Sequence, residues 1–141
     1  MSAKTFVDTN LLVYAYDVDA GSKQERAIDV LTELWRSREG RLSTQVLQEF
    51  YVSVTRKLTS RLSRTAARRA VELYSSWSVD ITPTDIVAAF RIEDEAKISF
   101  WDALILSSAQ KIGASRILSE DLNTGQKVAG IVIENPFSQM G

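Results

Sequence analysis

Of four acidic residues, two follow short strand-like runs and two sit in strongly apolar helical stretches near element starts. Asp8 follows the short apolar run Thr5–Val7 in "TFVDTNLLVYAYD", and Asp121, with Glu120 beside it, follows "RILS". Asp102 lies at the head of the apolar stretch in "SFWDALIL", and Glu49 flanks the apolar face of "STQVLQEFYVSV". A carboxylate set against buried segments needs a backbone donor, a cation or a metal as its partner. Each of the four has an ordinary structural role open to it. Asp8 suits an Asx turn or a helix cap, and Asp121 suits the turn "SEDLNTG". Ser99 and Asp102 have the spacing of a capping box, and a first-turn acid suits the helix dipole. Glu49 suits an exposed helix face.

Taken together, the four call for more. Two carboxylates about 5 Å apart repel by on the order of 3 kcal/mol at an effective dielectric of about 20. A converging cluster is poor structural design without a cation and sensible design with one. The chain has no Cys and no His. This excludes disulfides, thiolate metal sites and Cys nucleophiles. It also removes the commonest general base at neutral pH and the commonest transition-metal ligand. An all-oxygen site remains, which favours Mg²⁺ or Mn²⁺, as one or two ions. Such an ion activates water without help from His.

The elements that must position these acids can be read from hydrophobic periodicity. At 141 residues the chain fits a single domain, residues 1–141. Five short β-type runs stand out: Thr5–Val7, Arg41–Ser43, Val79–Ile81, Arg116–Ser119 and Ile131–Ile133. Helical patterns separate them, over Leu11–Tyr16, Lys23–Arg38, Thr44–Leu58, Ser63–Trp77, Thr84–Lys97 and Phe100–Ile112. Strands alternating with helices predict an α/β domain with a mainly parallel sheet. In such a sheet ligands bind beyond the carboxyl ends of the strands. Asp8 and Asp121 would then project from the same edge. The closing "ENPFSQMG" reads as a short tail. No apolar run is long enough to span a bilayer, and no signal-peptide pattern opens the chain, so the expected location is cytoplasmic with no membrane contact.

Charge is unevenly distributed. Between Phe50 and Val71 only one sign occurs, on Arg56, Lys57, Arg61, Arg64, Arg68 and Arg69. The block is either a solvated face or a surface for RNA or an acidic partner, with Arg61, Arg64, Arg68 and Arg69 as the candidate contacts. Phe90, Phe100, Trp101 and Trp77 together suggest a large apolar surface.

The segments "FVDTNLLVYAYD", "STQVLQEFYVSVTRK", "ISFWDALILSSAQKIGASRILSEDLNTGQ" and "IVIENPF", in that order, resemble a PIN domain, and in detail the toxin of a VapBC-type toxin–antitoxin pair. The resemblance covers nearly the whole chain, with little signature between Lys57 and Pro83. It implies an α/β/α sandwich with a short, five-stranded, mainly parallel sheet and a metal-dependent endoribonuclease activity. The family's acidic quartet falls on Asp8, Glu49, Asp102 and Asp121. Thr9, Asn10 and Ser119 match polar positions that support the site. A cognate antitoxin and a homodimer are also implied.

The resulting expectation is an RNA hydrolase with Asp8, Asp102 and Asp121 as metal ligands and Glu49 as ligand or base. Attack by water would leave a 5′-phosphate and a 3′-hydroxyl. Attack by the RNA's own 2′-hydroxyl would need general bases that this chain largely lacks. Two other readings compete. A phosphatase or phosphotransferase could use an Asp after its first strand as nucleophile, but "DTN" lacks a second Asp two residues on. A non-catalytic RNA- or partner-binding module on the same fold would need no intact quartet.

Overall fold

The computed structural model describes residues 3–138, and the end of the expected tail, residues 139–141, lies outside them. In chain order the elements are β1 (Lys4–Val7), α1 (Thr9–Ala15), α2 (Ser22–Ser37), β2 (Gly40–Ser43) and α3 (Thr44–Val52). A π turn (Ser53–Lys57) follows, then α4 (Arg64–Tyr74), a 3₁₀ turn (Ser75–Trp77) and β3 (Ser78–Val79). The chain continues through α5 (Pro83–Ala96), α6 (Phe100–Lys111), β4 (Ala114–Leu118), β5 (Lys127–Val128) and β6 (Ile131–Glu134).

The strands form one sheet in the order β3-β2-β1-β4-β6-β5. Every pairing is parallel except β5 with β6. The sheet therefore has six strands where five were expected. The sixth, β5, is two residues long, too short to show any periodicity. It pairs with β6 across a tight turn in which Ala129 and Gly130 both have positive φ, 54° and 81°. That is the backbone a primed hairpin turn requires.

The sheet is flanked by helices, as the α/β reading predicts. β1 is the central strand, and Thr5, Phe6 and Val7 are all buried. Successive residues of a strand point to opposite faces, so a run of buried residues means that both faces are covered. Leu42, Ile117, Leu118, Ile131 and Ile133 extend the core along the sheet, and Leu11, Leu12, Val46, Phe50 and Leu106 supply its helical part.

Two sequence expectations change here. Trp77 does not join an exposed apolar surface: it is 4% exposed and stacks in a cluster with Trp35 and Tyr74. The 3₁₀ turn carries it inward over Gly40, where an added Cβ would lie 2.6 Å from the indole ring. Only glycine admits that approach. The tail is also better anchored than expected. Phe137 is buried, with its ring edge-on to Tyr14 at 5.1 Å between centroids.

Candidate active site

The site forms where β1 and β4 end side by side. Val7 pairs with Leu118, so the next residues, Asp8 and Ser119, leave the sheet together. Asp8 is extended at φ −77°, ψ 162° and caps α1, with Oδ1 accepting a 2.7 Å hydrogen bond from the Thr9 amide. Its other oxygen, Oδ2, accepts from the buried Ser119 hydroxyl at 2.7 Å. The same Ser119 oxygen accepts the Asp121 amide at 3.1 Å. One hydroxyl thus ties the first acid to the backbone of the last.

Thr9 and Asn10 extend the arrangement to α3 and to the loop after β4. Thr9 Oγ1 donates to Glu49 Oε1 at 3.0 Å. Asn10 Nδ2 donates to Asp121 Oδ2 at 3.1 Å, while its Oδ1 accepts the Glu120 amide at 3.3 Å. Asp102 sits in the first turn of α6, which Ser99 caps through the Asp102 amide at 3.1 Å. Gln45, buried at the start of α3, donates to the Trp101 carbonyl at 3.3 Å and so fixes the head of α6 against α3.

Electrostatics show that the acids sense one another. Burial pushes the Asp8 carboxyl up to about 6. The hydrogen bonds from Ser119 and Thr9 oppose this rise, and the charges of Asp121 and Glu49 add to it. Asp102 is raised too, first by partial burial and then by Asp121, against the effect of Ser99. Glu49 and Asp121 are exposed at the mouth of a cleft of about 620 Å³, which Thr9, Asn10 and Lys57 also line. A larger depression of about 790 Å³, lined by Arg26, Asp29, Glu33, Arg116 and Glu134, holds none of the quartet. Its charges are of both signs, and it offers no comparable convergence.

Among the described residues, no group of three or more acidic side chains is gathered into a metal-holding arrangement. The donor set nevertheless fits a hard cation. It consists of carboxylate oxygens, with Asp8 and Asp102 raised in part by neighbouring negative charge. Mg²⁺ binds through one or two carboxylates and keeps several waters, so a spread set suffices.

A family model, the PIN domain, matches residues 5–129. The chain belongs to the PIN domain family. No curated protein sequence matches it. Among solved structures, this PIN domain is similar to a chain of the FitAB complex bound to a DNA fragment, with a TM-score of 0.70 and 17% identity over 94% of this chain and 95% of that one. It is also similar to a chain of VapBC2 from Rickettsia felis bound to promoter DNA, with a TM-score of 0.64 and 18% identity over 93% and 97%. A third likeness is VapC20 of Mycobacterium tuberculosis, described as a sarcin–ricin loop cleaving toxin, with a TM-score of 0.62 and 21% identity over 84% and 90%. At these identities the likeness is one of fold.

Sequence reasoning passed over one supporting group in this PIN domain. Glu120 receives the Tyr14 hydroxyl at 2.7 Å and the Lys23 ammonium at 2.6 Å. Burial would raise its carboxyl, but Lys23 and Tyr14 outweigh burial and hold it below the usual range. This clamp anchors the loop that carries Asp121 to α1 and α2. The signal was visible only as an acid next to an acid. The basic candidates Arg61, Arg64, Arg68 and Arg69 are exposed, and none lines the acidic cleft. Arg68 instead bonds the Tyr51 hydroxyl at 3.3 Å, beside an apolar groove between α3 and α4.

Proposed function

We propose that the chain is a metal-dependent endoribonuclease acting as the toxin of a toxin–antitoxin pair in the cytoplasm. The observation that carries this reading is the single hydroxyl of Ser119 joining Asp8 to Asp121, with Glu49 and Asp102 at the same edge of the sheet. Asp8, Asp102 and Asp121 would hold one or two Mg²⁺ or Mn²⁺ ions, with Glu49 as a further ligand or as the base. When bound, the metal offsets the repulsion among the acids and polarises the scissile phosphate. Thr9 holds Glu49 by hydrogen bond, leaving its second oxygen to take a proton from the attacking water. Thr9, Asn10 and Ser119 keep the carboxylates oriented without adding charge. Water attack leaves a 5′-phosphate and a 3′-hydroxyl.

Purified protein should cut RNA in Mg²⁺ or Mn²⁺ and stop in excess chelator, with those end groups on the products. Undiminished cutting in chelator would overturn the metal mechanism. One observation favours a second reading, a non-catalytic RNA- or partner-binding module: no three acids are gathered for a metal among the described residues. RNA binding without cleavage under any divalent ion would select it.

The toxin assignment rests on the PIN fold and on neighbours that are toxin–antitoxin complexes, two of them with DNA. It carries with it a cognate antitoxin and a homodimer. Ile86, Val87 and Phe90 of α5 and Trp101 of α6 are exposed, Trp101 to 62%, and Phe90, Phe100 and Trp101 stack in series. Such a patch suits self-association. Light scattering should give twice the 15.8 kDa chain mass, and Val87→Glu should halve it. A wild-type monomer at high concentration would remove the dimer.

A further inference from the structure

We propose that the π turn after α3 is a register device that brings Lys57, in place of Arg56, to the acidic cleft, where its ammonium holds a phosphate of the RNA. The inference rests on the nuclease reading and adds a substrate-binding residue to it. In an unbroken α-helix each residue turns by about 100°. Arg56 would then fall about 20° from the line of Glu49, and Lys57 about 80° away. The turn Ser53–Lys57 is π-helical and closes with the Leu58 amide on the Ser53 carbonyl at 3.2 Å. Its one extra residue shifts the phase by about one position, so Lys57 takes the Glu49 line.

The lining of the cleft agrees. Glu49, Val52, Ser53 and Lys57 face it, and Arg56 does not. Within the turn, Thr55 Oγ1 donates to the Tyr51 carbonyl at 2.7 Å, a back-bond of the kind that bends helices. The end of the turn is held by the Leu62 amide on the Val54 carbonyl at 2.9 Å and by Ser60 on Asp19 at 2.8 Å. Lys57 takes part in none of the four ion pairs among the described residues. A cleft edged by Glu49, Asp121 and Asp17 repels a polyanion, and an uncommitted cation at its rim supplies the attraction that brings a phosphate in.

The test uses the full chain carrying Asp102→Asn, so that RNA survives, with Mg²⁺ and a labelled single-stranded RNA of mixed sequence. Adding Lys57→Ala should weaken binding about fivefold and flatten the salt slope by about 0.7, one phosphate contact on a single strand. Lys57→Arg should restore both, Arg56→Ala should leave both unchanged, and melting temperatures should match throughout. Equal binding by Lys57→Ala, or an equal loss with Arg56→Ala, overturns the assignment. Cleavage by the wild type is followed in parallel. Binding that depends on Lys57 without wild-type cleavage removes the nuclease reading and keeps Lys57 as an RNA contact. Absence of both binding and cleavage removes both.

Discussion

Asp102→Asn should lower RNA cleavage by on the order of 100-fold or more while the protein stays folded. Removing a group that only orients a metal ligand costs about 10–100-fold, so removing a proposed ligand should cost at least the upper end. Asp102 is a clean place to test this. Its backbone amide donates the capping hydrogen bond to Ser99, and Asn keeps that amide. If Asp102 merely complements the helix dipole, the change costs about 0.3–1 kcal/mol of stability and leaves cleavage intact. Ser119→Ala makes a graded comparison. It removes the hydroxyl shared by Asp8 and Asp121 without removing an acid, and should cost about 10–100-fold. Rates from purified variants, set beside their melting curves, separate the two roles. Full activity in Asp102→Asn would remove Asp102 from the site.

The second large effect concerns stability and pH in chelator. Burial holds the Asp8 carboxyl at about 6 in the folded protein, above its ordinary value of 3.8. A raised carboxyl means that the folded state binds the proton more tightly than the unfolded chain. Its contribution to stability is fully present below the unfolded value and is lost as pH rises through about 6. The loss amounts to about 3 kcal/mol by linkage. Asp85 and Glu120 act in the opposite sense. Both are raised by burial, but Asp85 is held down by Lys111 and Thr82, and Glu120 by Lys23 and Tyr14, so each adds stability as pH rises past the acid range. The difference between Asp8→Asn and wild type cancels those terms. That difference should be small near pH 4 and should grow to favour the variant by about 10 °C at pH 8, at about 4 °C per kcal/mol. Mg²⁺ should then stabilise wild type more than the variant, because a ligand bound only to the native state adds stability by mass action. A difference that stays flat from pH 4 to pH 8 and ignores Mg²⁺ would make Asp8 a simple cap.

Asp8 and Asp121 were legible in the sequence because each follows a strand-like run, and Glu49 and Asp102 because each sits in a strongly apolar helical stretch. Val7 to Asp8 ends a buried run, and Ser119 to Asp121 ends another. What holds the acids was less legible. Thr9, Asn10 and Ser119 came from the family resemblance, whereas Gln45, Tyr14, Lys23 and Glu120 carry no local pattern, since their partners lie on other elements. Short elements were also hidden. A two-residue strand such as β5 has no period, and the π turn looks like plain helix in "VSVTRK". Trp77 lies three residues after Tyr74 and seven after Ala70, a helical spacing that shares their buried face, and the 3₁₀ turn keeps it there.

The pairing of β1 with β4 has a consequence for synthesis. These neighbours in space are separated by most of the chain: Asp8 meets Ser119 across 111 positions. During translation, at roughly 5–20 residues per second, β1 emerges early and waits several seconds for the strand that completes its edge. Until β4 leaves the ribosome, Asp8 lacks the hydroxyl that holds it and Asp121 does not exist. If the chain is the proposed nuclease, it stays inert toward RNA until then, including the messenger and the ribosome making it. On the proposed function, cleavage cannot begin before Asp121 has been added and β1 has met β4.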